Sequence, residues 1–301
     1  MLIQLEDVCY RYEAGESQRD ALSGINLTLR AGECVGLIGP SGSGKSTLAQ
    51  VLNGLLRPIR GRMLMDGKAL DYRAASLRDL RRRVGLIMQL PEAQIFEATV
   101  FDEVAFAARQ WGLPEWEMGE RVNRALSGIG LESEAFMKRD PMKLSGGEAR
   151  LVTIASLLVV EPDWLILDEP TLGLDYPHTQ QIRSLVMRRK EMGRGTLLIS
   201  HDLDLVSDLC PRVVVLRDGR VAFDGDSAAL FREHDLKDEF DLESPLRWKI
   251  RRRLSDGVTG WRDEAVDLRA ELAALSPAGR AEAERILRHF LAEQGQIEAA
   301  P

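Results

Sequence analysis

Near its start the sequence reads Gly39-Pro40-Ser41-Gly42-Ser43-Gly44-Lys45-Ser46-Thr47, which matches the phosphate-binding loop pattern Gly-x-x-x-x-Gly-Lys-Ser/Thr. The continuous apolar run Cys34–Ile38 precedes this loop and predicts a strand, and a helix is expected to follow it. Glycines let the backbone curl so that several N–H groups face one anion, and the helix N-terminus adds partial positive charge. Lys45 would supply a mobile cation for the β- and γ-phosphates, and the Ser46 hydroxyl would bind Mg²⁺. The phosphate-binding loop therefore predicts a site for a nucleoside triphosphate with Mg²⁺.

Short apolar runs alternate with helix-like stretches on both sides of the loop, which favours an α/β fold with a parallel sheet. The runs that predict strands are Cys34–Ile38, Val84–Met88, Trp164–Leu167, Leu197–Ile199 and Val213–Leu216. Asp218-Gly219 predicts a tight hairpin turn after the last of these strands. From about Thr99 to Leu158 the apolar residues recur at helical spacing, which predicts a helical insertion in the α/β domain.

A second motif, Leu165-Ile166-Leu167-Asp168-Glu169, places two carboxylates at the end of a predicted strand. Ligands bind at the carboxyl ends of strands in open α/β sheets, so these acids are expected near the phosphate-binding loop. Asp168 would hold Mg²⁺ through water, and Glu169 would polarise the attacking water.

A third motif, Leu144-Ser145-Gly146-Gly147-Glu148, stands before a predicted helix and is here called the signature loop. Small residues before a helix N-terminus let a phosphate approach the backbone closely, so the chain carries a second candidate anion site. This order of motifs resembles that of the ATP-binding cassette (ABC) ATPases. The resemblance implies that Ser145, Gly146 and Gly147 of one chain close over the γ-phosphate held by the phosphate-binding loop of another chain. It therefore implies a head-to-tail dimer with a second ABC ATPase subunit, identical or different, and two interfacial ATP molecules.

The same resemblance assigns roles to two residues that lie upstream of the signature loop and outside these motifs. Tyr12 matches the aromatic residue that stacks on adenine, with Tyr10 as the rival. Gln89 follows a predicted strand and matches the glutamine that senses Mg²⁺ and water and links to the membrane partner.

Two further elements lie downstream of the paired carboxylates. Asp175 ends the stretch Leu172–Asp175, which matches the loop that crosses the dimer interface. His201 matches the switch histidine of the family, which would bind the γ-phosphate and hold the attacking water together with Glu169.

One position departs from the family pattern, because the signature loop usually ends in Gln and here ends in Glu148. The serine and the glycine backbone make the main phosphate contacts, so activity is expected to survive. A carboxylate near bound phosphate could still weaken ATP affinity or dimer closure. Another possibility is that Glu148 pairs with Arg150 or with a base of the partner.

The stretch from Gln89 to Phe106, here called the docking segment, reads Gln-Leu-Pro-Glu-Ala-Gln-Ile-Phe-Glu-Ala-Thr-Val-Phe-Asp-Glu-Val-Ala-Phe. It is similar to the Gln-x-Pro-Glu-x-Gln-x-Phe…Thr-Val…Val-Ala-Phe pattern of energy-coupling factor (ECF) transporter ATPases, which include cobalt- and nickel-type importers. The resemblance implies ATP-driven uptake of a vitamin or transition-metal ion. It also implies two membrane partners: a transmembrane scaffold subunit, whose coupling helices lie near Gln89, and a separate substrate-binding subunit.

Acidic and aromatic side chains give the docking segment a physical basis for binding. They are Glu92, Glu97, Asp102 and Glu103, together with Phe96, Phe101 and Phe106. Basic side chains on a coupling helix could pair with the carboxylates while the phenylalanines anchor it. The alternative is a solvated acidic helix start, since carboxylates favour that end of a helix.

Composition limits the class of protein. The 301 residues include 40 Lys and Arg against 47 Asp and Glu, which gives a net charge of −7, and 45% are hydrophobic. This composition excludes disorder as the main state, and no basic excess is available for a nucleic-acid partner. No apolar run approaches the ~20 residues that span a bilayer. The resemblance to ECF transporter ATPases implies a peripheral subunit at the cytoplasmic face of the cell membrane. The three cysteines are widely spaced, which fits reduced thiols.

We therefore predict an α/β fold: a P-loop ABC ATPase core with a parallel sheet, an N-terminal antiparallel β subdomain, an α-helical signature subdomain and a C-terminal helical extension. Residues 1–235 would form the ATPase domain, with the helical subdomain inserted at about 90–160. Residues 236–301 would form the extension, which could help two ATPases dimerise or could pack on its own core. The alternatives are the ATPase of a conventional ABC transporter and a soluble ABC ATPase of repair or translation. The docking segment argues against the first, and the single cassette with its negative charge argues against the second.

Overall fold

The computed structural model describes residues 1–12, 20–88, 95–131, 134–245 and 248. Across these residues the strands are, in chain order, β1 (Ile3–Tyr10), β2 (Leu22–Leu29), β3 (Cys34–Ile38), β4 (Arg60–Met65), β5 (Lys68–Ala69), β6 (Val84–Ile87), β7 (Trp164–Asp168), β8 (Gly195–Ile199), β9 (Arg212–Arg217) and β10 (Arg220–Asp226). The helices are α1 (Lys45–Leu52), α2 (Ala74–Arg83), α3 (Val100–Gln110), α4 (Glu115–Ser127), α5 (Glu134–Met137), α6 (Gly146–Leu158), α7 (Tyr176–Glu191), α8 (Leu203–Leu209), α9 (Ser227–Glu233) and α10 (Leu236–Phe240), with a 3₁₀ turn at Pro141–Lys143.

The larger sheet has six strands in the order β10-β9-β3-β8-β7-β6. All neighbouring strands in it are parallel except β9 and β10, which pair antiparallel. Every residue of β3, β7 and β8 is buried, which is why these strands appear in the sequence as continuous apolar runs. The predicted parallel α/β sheet is confirmed.

The turn between β9 and β10 is the hairpin that the sequence predicts. Asp218 and Gly219 have φ values of 48° and 71°. A two-residue turn with positive φ at both positions follows the twist of the flanking strands. Arg217 and Arg220 pair directly across it.

The smaller sheet is antiparallel, has the order β2-β1-β4-β5 and forms the predicted N-terminal β subdomain. Its apolar face shares one core cluster with one face of the larger sheet, including Ile3 and Ile25 from the smaller sheet and Leu37 and Trp164 from the larger. The indole Nε1 of Trp164 also donates a hydrogen bond to the carbonyl oxygen of Met1 at 3.2 Å. The two sheets therefore pack as layers around a common core.

Helices α3 to α6 occupy the region where the sequence shows helical apolar spacing. Val104, Val122 and Leu126 are buried in a second core cluster, which includes Leu167 of β7. The apolar residues Leu151, Val152, Ile154 and Ala155 of α6 are buried as well. Within the described residues, the helices are all too short or too polar to cross a membrane.

The chain after β10 returns to this second cluster. Leu236 and Phe240 of α10, together with Leu242, are buried in it. The indole of Trp248 donates a hydrogen bond to the hydroxyl of Ser207 at 2.9 Å. Most of the predicted C-terminal extension, residues 246–247 and 249–301, lies outside the described residues.

Candidate nucleotide site

A cleft of about 510 Å³ opens at the carboxyl edge of the larger sheet. Its described lining consists of Tyr12, Ala21, Ser41, Gly42, Gly44, Lys45, Ser46, Thr47, Asp168, Glu169, Leu172 and His201. Three adjacent strands position most of the polar side chains of the cleft. β3 leads into the phosphate-binding loop, β7 ends at Asp168, and β8 leads to His201. The topology thus gathers residues that are far apart in the sequence at one edge of the sheet.

The phosphate-binding loop depends on glycine at two positions. Gly39 has a φ of 150°, and a Cβ there would lie 2.0 Å from the carbonyl oxygen of Leu216. Gly44 precedes α1 with a φ of 103°, and a Cβ there would lie 2.5 Å from the carbonyl oxygen of Ala21. Any other residue would clash with this backbone, so the sequence pattern has a direct steric cause.

The side chain of Lys45 folds back onto the phosphate-binding loop. Its Nζ donates hydrogen bonds to the carbonyl oxygens of Gly39 at 2.7 Å and Pro40 at 2.9 Å. Burial lowers the pKa of the ammonium, and the nearby carboxylates of Glu169 and Asp168 oppose this shift. A phosphate would be a stronger partner for the cation than two neutral carbonyls.

Asp168 and Ser46 lie together at the floor of the cleft. Burial raises the pKa of the Asp168 carboxyl, and the hydrogen bond from Ser46 opposes this shift. A carboxylate and a hydroxyl are oxygen ligands of the kind that Mg²⁺ prefers, and Mg²⁺ sites in phosphate-binding proteins typically use few protein ligands. The donor set therefore fits Mg²⁺ bound together with a nucleotide.

Glu169 has a backbone conformation that a non-glycine residue rarely adopts, with a φ of 51°. Its N–H donates to the carbonyl oxygen of Ile199, the last residue of β8, at 2.9 Å. This hydrogen bond holds the backbone of Glu169 in that conformation. The buried Oε1 has no hydrogen-bond partner among the described residues and lies 3.7 Å from Nε2 of His201. Backbone strain and an unsatisfied buried oxygen together make Glu169 a candidate for a chemical role.

The local electrostatics shift the pKa values of Glu169 and His201 in opposite directions. Burial and the neighbouring charge of Asp168 raise the pKa of Glu169. Burial and the charge of Lys45 lower the pKa of His201. These shifts make the Glu169 carboxylate a stronger base and favour the neutral form of the His201 imidazole.

Tyr12, rather than Tyr10, lines the cleft. Its hydroxyl is 3.1 Å from Oγ1 of Thr47, and the side chain is half exposed at the rim. The ring of Tyr10 packs edge-on against it with centroids 5.0 Å apart. The geometry therefore favours Tyr12 as the residue that could stack on a base, with Tyr10 as its support.

The signature loop lies outside the described lining of this cleft. Ser145 caps α6: its Oγ accepts a hydrogen bond from the N–H of Glu148, and the Glu148 carboxylate accepts one from the N–H of Ser145. Gly146 faces open space, whereas Gly147 lies against the ring of His178. Asp175 caps α7 by accepting the N–H of His178, so the signature loop and the stretch Leu172–Asp175 meet at His178.

The structure corrects the suggested pairing of Glu148 with Arg150. Glu148 instead forms a two-point ion pair with Arg139, with N–O distances of 2.7 and 3.3 Å. Arg150 donates to the carbonyl oxygen of Leu172. Residues two positions apart on a helix do not face each other, and this is why the pairing with Arg150 fails.

The docking segment also needs a correction. Glu103 is buried and accepts the N–H groups of Phe96 and Glu97 at 3.1 and 3.0 Å, and Asp102 pairs with Arg109. These two acids are held by contacts within the subunit. Among the described residues of the segment, Phe96 and Ala98 are exposed and Glu97 is half-buried between them. Gln89, Glu92 and the rest of residues 89–94 lie outside the described residues.

Sequence reasoning missed Ala21 and Ser200 at the cleft, and it placed Leu172 only in the loop expected to cross the dimer interface. Ala21 and Leu172 line the cleft, and Ser200 donates from its hydroxyl to the carboxylate of Glu169 at 3.4 Å. Ser200 follows β8 and immediately precedes His201, so its position in the sequence could have identified it. Ala21 has no feature in the sequence that would predict its place at the cleft.

A sheet edge that combines a phosphate-binding loop, paired carboxylates and a histidine defines a nucleoside triphosphatase of the phosphate-loop class. Residues 22–172 match the family model described as ABC transporter. The energy-coupling factor transporter ATP-binding protein EcfA2 of Symbiobacterium thermophilum is 42% identical over 262 residues, which cover 87% of this chain and 90% of the relative. The chain belongs to the ABC transporter family and is an ATP hydrolase of that family.

Solved structures agree with this assignment. The structure of cbiO1 from Clostridium perfringens, described as part of the ABC transporter complex cbiONQ, has 36% identity and a TM-score of 0.70, and the match covers 83% of this chain and 98% of that one. A dimeric ATP-binding cassette bound to ADP and Pi in a post-hydrolysis state has 29% identity and a TM-score of 0.68, with 75% of this chain and 98% of that one covered. The α/β cassette fold is thus shared with both.

Proposed function

We propose that this chain is the ATP-hydrolysing subunit of an ECF-type importer that takes up a vitamin or a transition-metal ion such as cobalt or nickel. One observation carries the proposal: the phosphate-binding loop, the paired carboxylates and His201 line one cleft, while the signature loop of the same chain is not part of its described lining. A second cassette is needed to bring a signature loop to this cleft. The likeness to EcfA2 and to cbiO1 supports the ECF type.

In the proposed site, residues 39–47 hold the phosphates of ATP and Tyr12 stacks on the adenine. Lys45 exchanges the carbonyls of Gly39 and Pro40 for phosphate oxygens. Ser46 and Asp168, with Gln89 as the sequence suggests, hold Mg²⁺. When bound, this ion neutralises charge on the phosphates.

Glu169 is the proposed general base. It accepts a proton as the oxygen of water forms a bond to the γ-phosphorus and the bond from that phosphorus to ADP breaks. Its raised pKa suits this role, because a base is most effective when its pKa approaches the working pH. His201 orients the water and the γ-phosphate from the other side, and Ser200 holds the second oxygen of the carboxylate.

The signature loop is proposed to close over the γ-phosphate of the partner ATPase. The Ser145 hydroxyl accepts from Glu148 in the cap and keeps its own proton to donate. Gly146 leaves open space in front of the loop, which a phosphate can enter. Asp175 and its loop lie beside the signature loop and would cross the same interface.

Phe96 and Glu97 are proposed to receive a coupling helix of the transmembrane scaffold. Phe96 is 60% exposed and packs edge-on against Phe106 with centroids 4.8 Å apart. The buried carboxylate of Glu103 fixes the backbone beneath both residues. Such a fixed, exposed aromatic with an acid beside it suits an amphipathic helix that carries basic residues.

Affinity purification of this chain from its native membranes tests the whole proposal. We expect a polytopic scaffold, a small substrate-binding membrane protein and a second cassette subunit to be recovered with it at the cytoplasmic face. The binding protein would then identify the transported compound. Recovery of repair or ribosomal proteins alone would contradict the transport function.

The docking surface has its own test. Replacing Glu92 and Glu97 by Lys is expected to abolish scaffold recovery while ATP binding by the isolated subunit remains. Glu191→Lys, an exposed acid at the end of α7, is the matched control for the change of charge. Normal recovery of the scaffold with the double variant would show that the complex forms elsewhere.

A further inference from the structure

The signature loop carries a negative charge at the position where it is expected to meet a phosphate. Glu148 lies in the first turn of α6, three residues after the cap Ser145. The positive end of a helix stabilises one anion near it, so a carboxylate there competes with an incoming phosphate. The contact with Arg139 keeps this carboxyl ionised, because it holds the pKa of Glu148 below its ordinary value.

The positive charge of Arg139, in the turn before the signature loop, pairs with the negative charge of Glu148. Nη1 and Nη2 of its guanidinium lie 2.7 and 3.3 Å from the two oxygens of Glu148. Two-point pairs of this kind are stronger and more directional than single contacts. The carboxylate is thus neutralised and also turned toward the N–H of Ser145, which it accepts at 2.9 Å.

The backbone and stem of Arg139 are themselves fixed. Its guanidinium carbon lies 5.0 Å from the ring centroid of Phe136, and its N–H donates to the carbonyl of the same residue at 3.1 Å. Its carbonyl oxygen accepts the N–H of Val100 at 3.0 Å, at the start of α3. Arg139 therefore connects the docking segment, at the start of α3, with the signature loop.

We propose that Arg139 is a positioning residue for ATP hydrolysis: it neutralises and orients Glu148 so that Ser145, Gly146 and Gly147 can receive the γ-phosphate held by the partner ATPase. The proposal rests on the role of the signature loop stated above. It explains how a loop that ends in Glu carries out a task for which the family usually has Gln. It also predicts that Arg139 is dispensable when residue 148 is uncharged.

A double-mutant cycle tests this prediction in the ATPase assembly purified with its native partners. Arg139→Met keeps the apolar stem and removes the charge, so the ATP concentration for half-maximal hydrolysis should rise about five- to tenfold at low salt. Adding Glu148→Gln should return that concentration to within about twofold of the parent, since the two residues act as one unit. Raising the salt concentration should shrink the defect of the single variant, because it comes from charge repulsion.

Two controls keep the outcome clear. Arg124→Met removes an ion pair with Glu120 and Glu161 elsewhere in the helical region and should leave the ATP dependence unchanged. Thermal unfolding of each variant reports any loss of fold, and Arg139→Lys, which keeps the charge, should retain most of the function if unfolding obscures Arg139→Met.

Each contrary result has a distinct meaning. A defect of Arg139→Met that persists at full size with Glu148→Gln would overturn the proposal and leave a purely structural role for Arg139. Unchanged ATP dependence in Arg139→Met would overturn it as well. Ser145→Ala, measured in parallel, tests the proposed function itself: if it too has no effect, the signature loop does not bind phosphate, and both conclusions fall.

Discussion

Oε1 of Glu169 and Nε2 of His201 lie 3.7 Å apart, although 32 positions separate them in the chain. They meet because β7 and β8 are parallel neighbours, with Asp168 opposite Ile199 in the register. Burial pushes the pKa values of the carboxyl up and of the imidazole down. In the proposed mechanism, Glu169 takes the proton of the attacking water while the imidazole stays neutral.

Removing the proposed base should separate binding from hydrolysis. Glu169→Gln is expected to lower the rate of phosphate release by about 10²- to 10⁴-fold, the usual contribution of a general base. ATP binding should remain, because the phosphate-binding loop is untouched. Glu191→Gln, an exposed acid on α7, is the control and should hydrolyse ATP at the parent rate. Parent-like hydrolysis by Glu169→Gln would remove Glu169 from the mechanism.

The two tyrosines at the rim should respond differently to truncation. Tyr12→Ala removes the exposed ring beside the cleft, so ATP affinity should fall about five- to tenfold, in line with ~1–3 kcal/mol for base stacking. Tyr10→Ala should lower mainly the melting temperature, because that ring supports Tyr12 from the sheet. Equilibrium binding of a fluorescent ATP analogue and thermal unfolding measure the two effects. The reverse assignment would identify Tyr10 as the base-stacking residue.

Adjacent glycines of the signature loop provide a matched pair. A methyl group at Gly146 meets no atom within 4 Å, whereas one at Gly147 would lie 2.8 Å from Nδ1 of His178. Gly146→Ala should therefore keep or raise the melting temperature but raise the ATP concentration needed for hydrolysis, since it fills the approach path of the phosphate. Gly147→Ala should lower the melting temperature by about 2–4 °C, because the ring of His178 must move. Equal melting temperatures would contradict the packing of His178.

Tyr72 is expected to limit stability in alkali. Its hydroxyl is buried without a hydrogen-bond partner among the described residues, and burial raises its pKa to about 12 from 10.0. The unfolded chain therefore releases this proton at lower pH than the folded protein does. As the pH rises from 10 to about 12, the wild type should lose free energy of unfolding relative to Tyr72→Phe.

At neutral pH the same variant should match or exceed the wild type by up to about 1 kcal/mol, because it removes an unsatisfied hydroxyl. Urea unfolding at several pH values measures both effects. Parallel pH curves for the two proteins would show that the hydroxyl is solvated in the native state.

The parallel sheet was predictable because its strands are buried on both faces and appear as unbroken apolar runs, as in β3 and β8. The phosphate-binding loop was predictable because its glycines have steric causes, such as the approach of Leu216 to Gly39. Local sequence therefore predicts those elements that depend on neighbouring residues, such as a continuously buried strand or a loop that requires glycine.

Contacts between elements were less predictable. Nothing in spacing pairs Arg139 with Glu148, since a turn and a helix start must first bring them together. Glu103 looked like a surface acid, yet the backbone of Phe96 and Glu97 folds back onto it. Such pairings depend on tertiary packing, which a single sequence does not display.

The position of β3 has a consequence for the way the subunit is made. This strand lies between β8 and β9, so both of its hydrogen-bonded neighbours emerge from the ribosome long after it does. Until residues 195–217 have been synthesised, the phosphate-binding loop has no rigid base, and His201 does not exist in the nascent chain. An incomplete nascent chain therefore contains the phosphate-binding loop but lacks His201. The subunit cannot hydrolyse ATP until β8 and β9 have paired with β3.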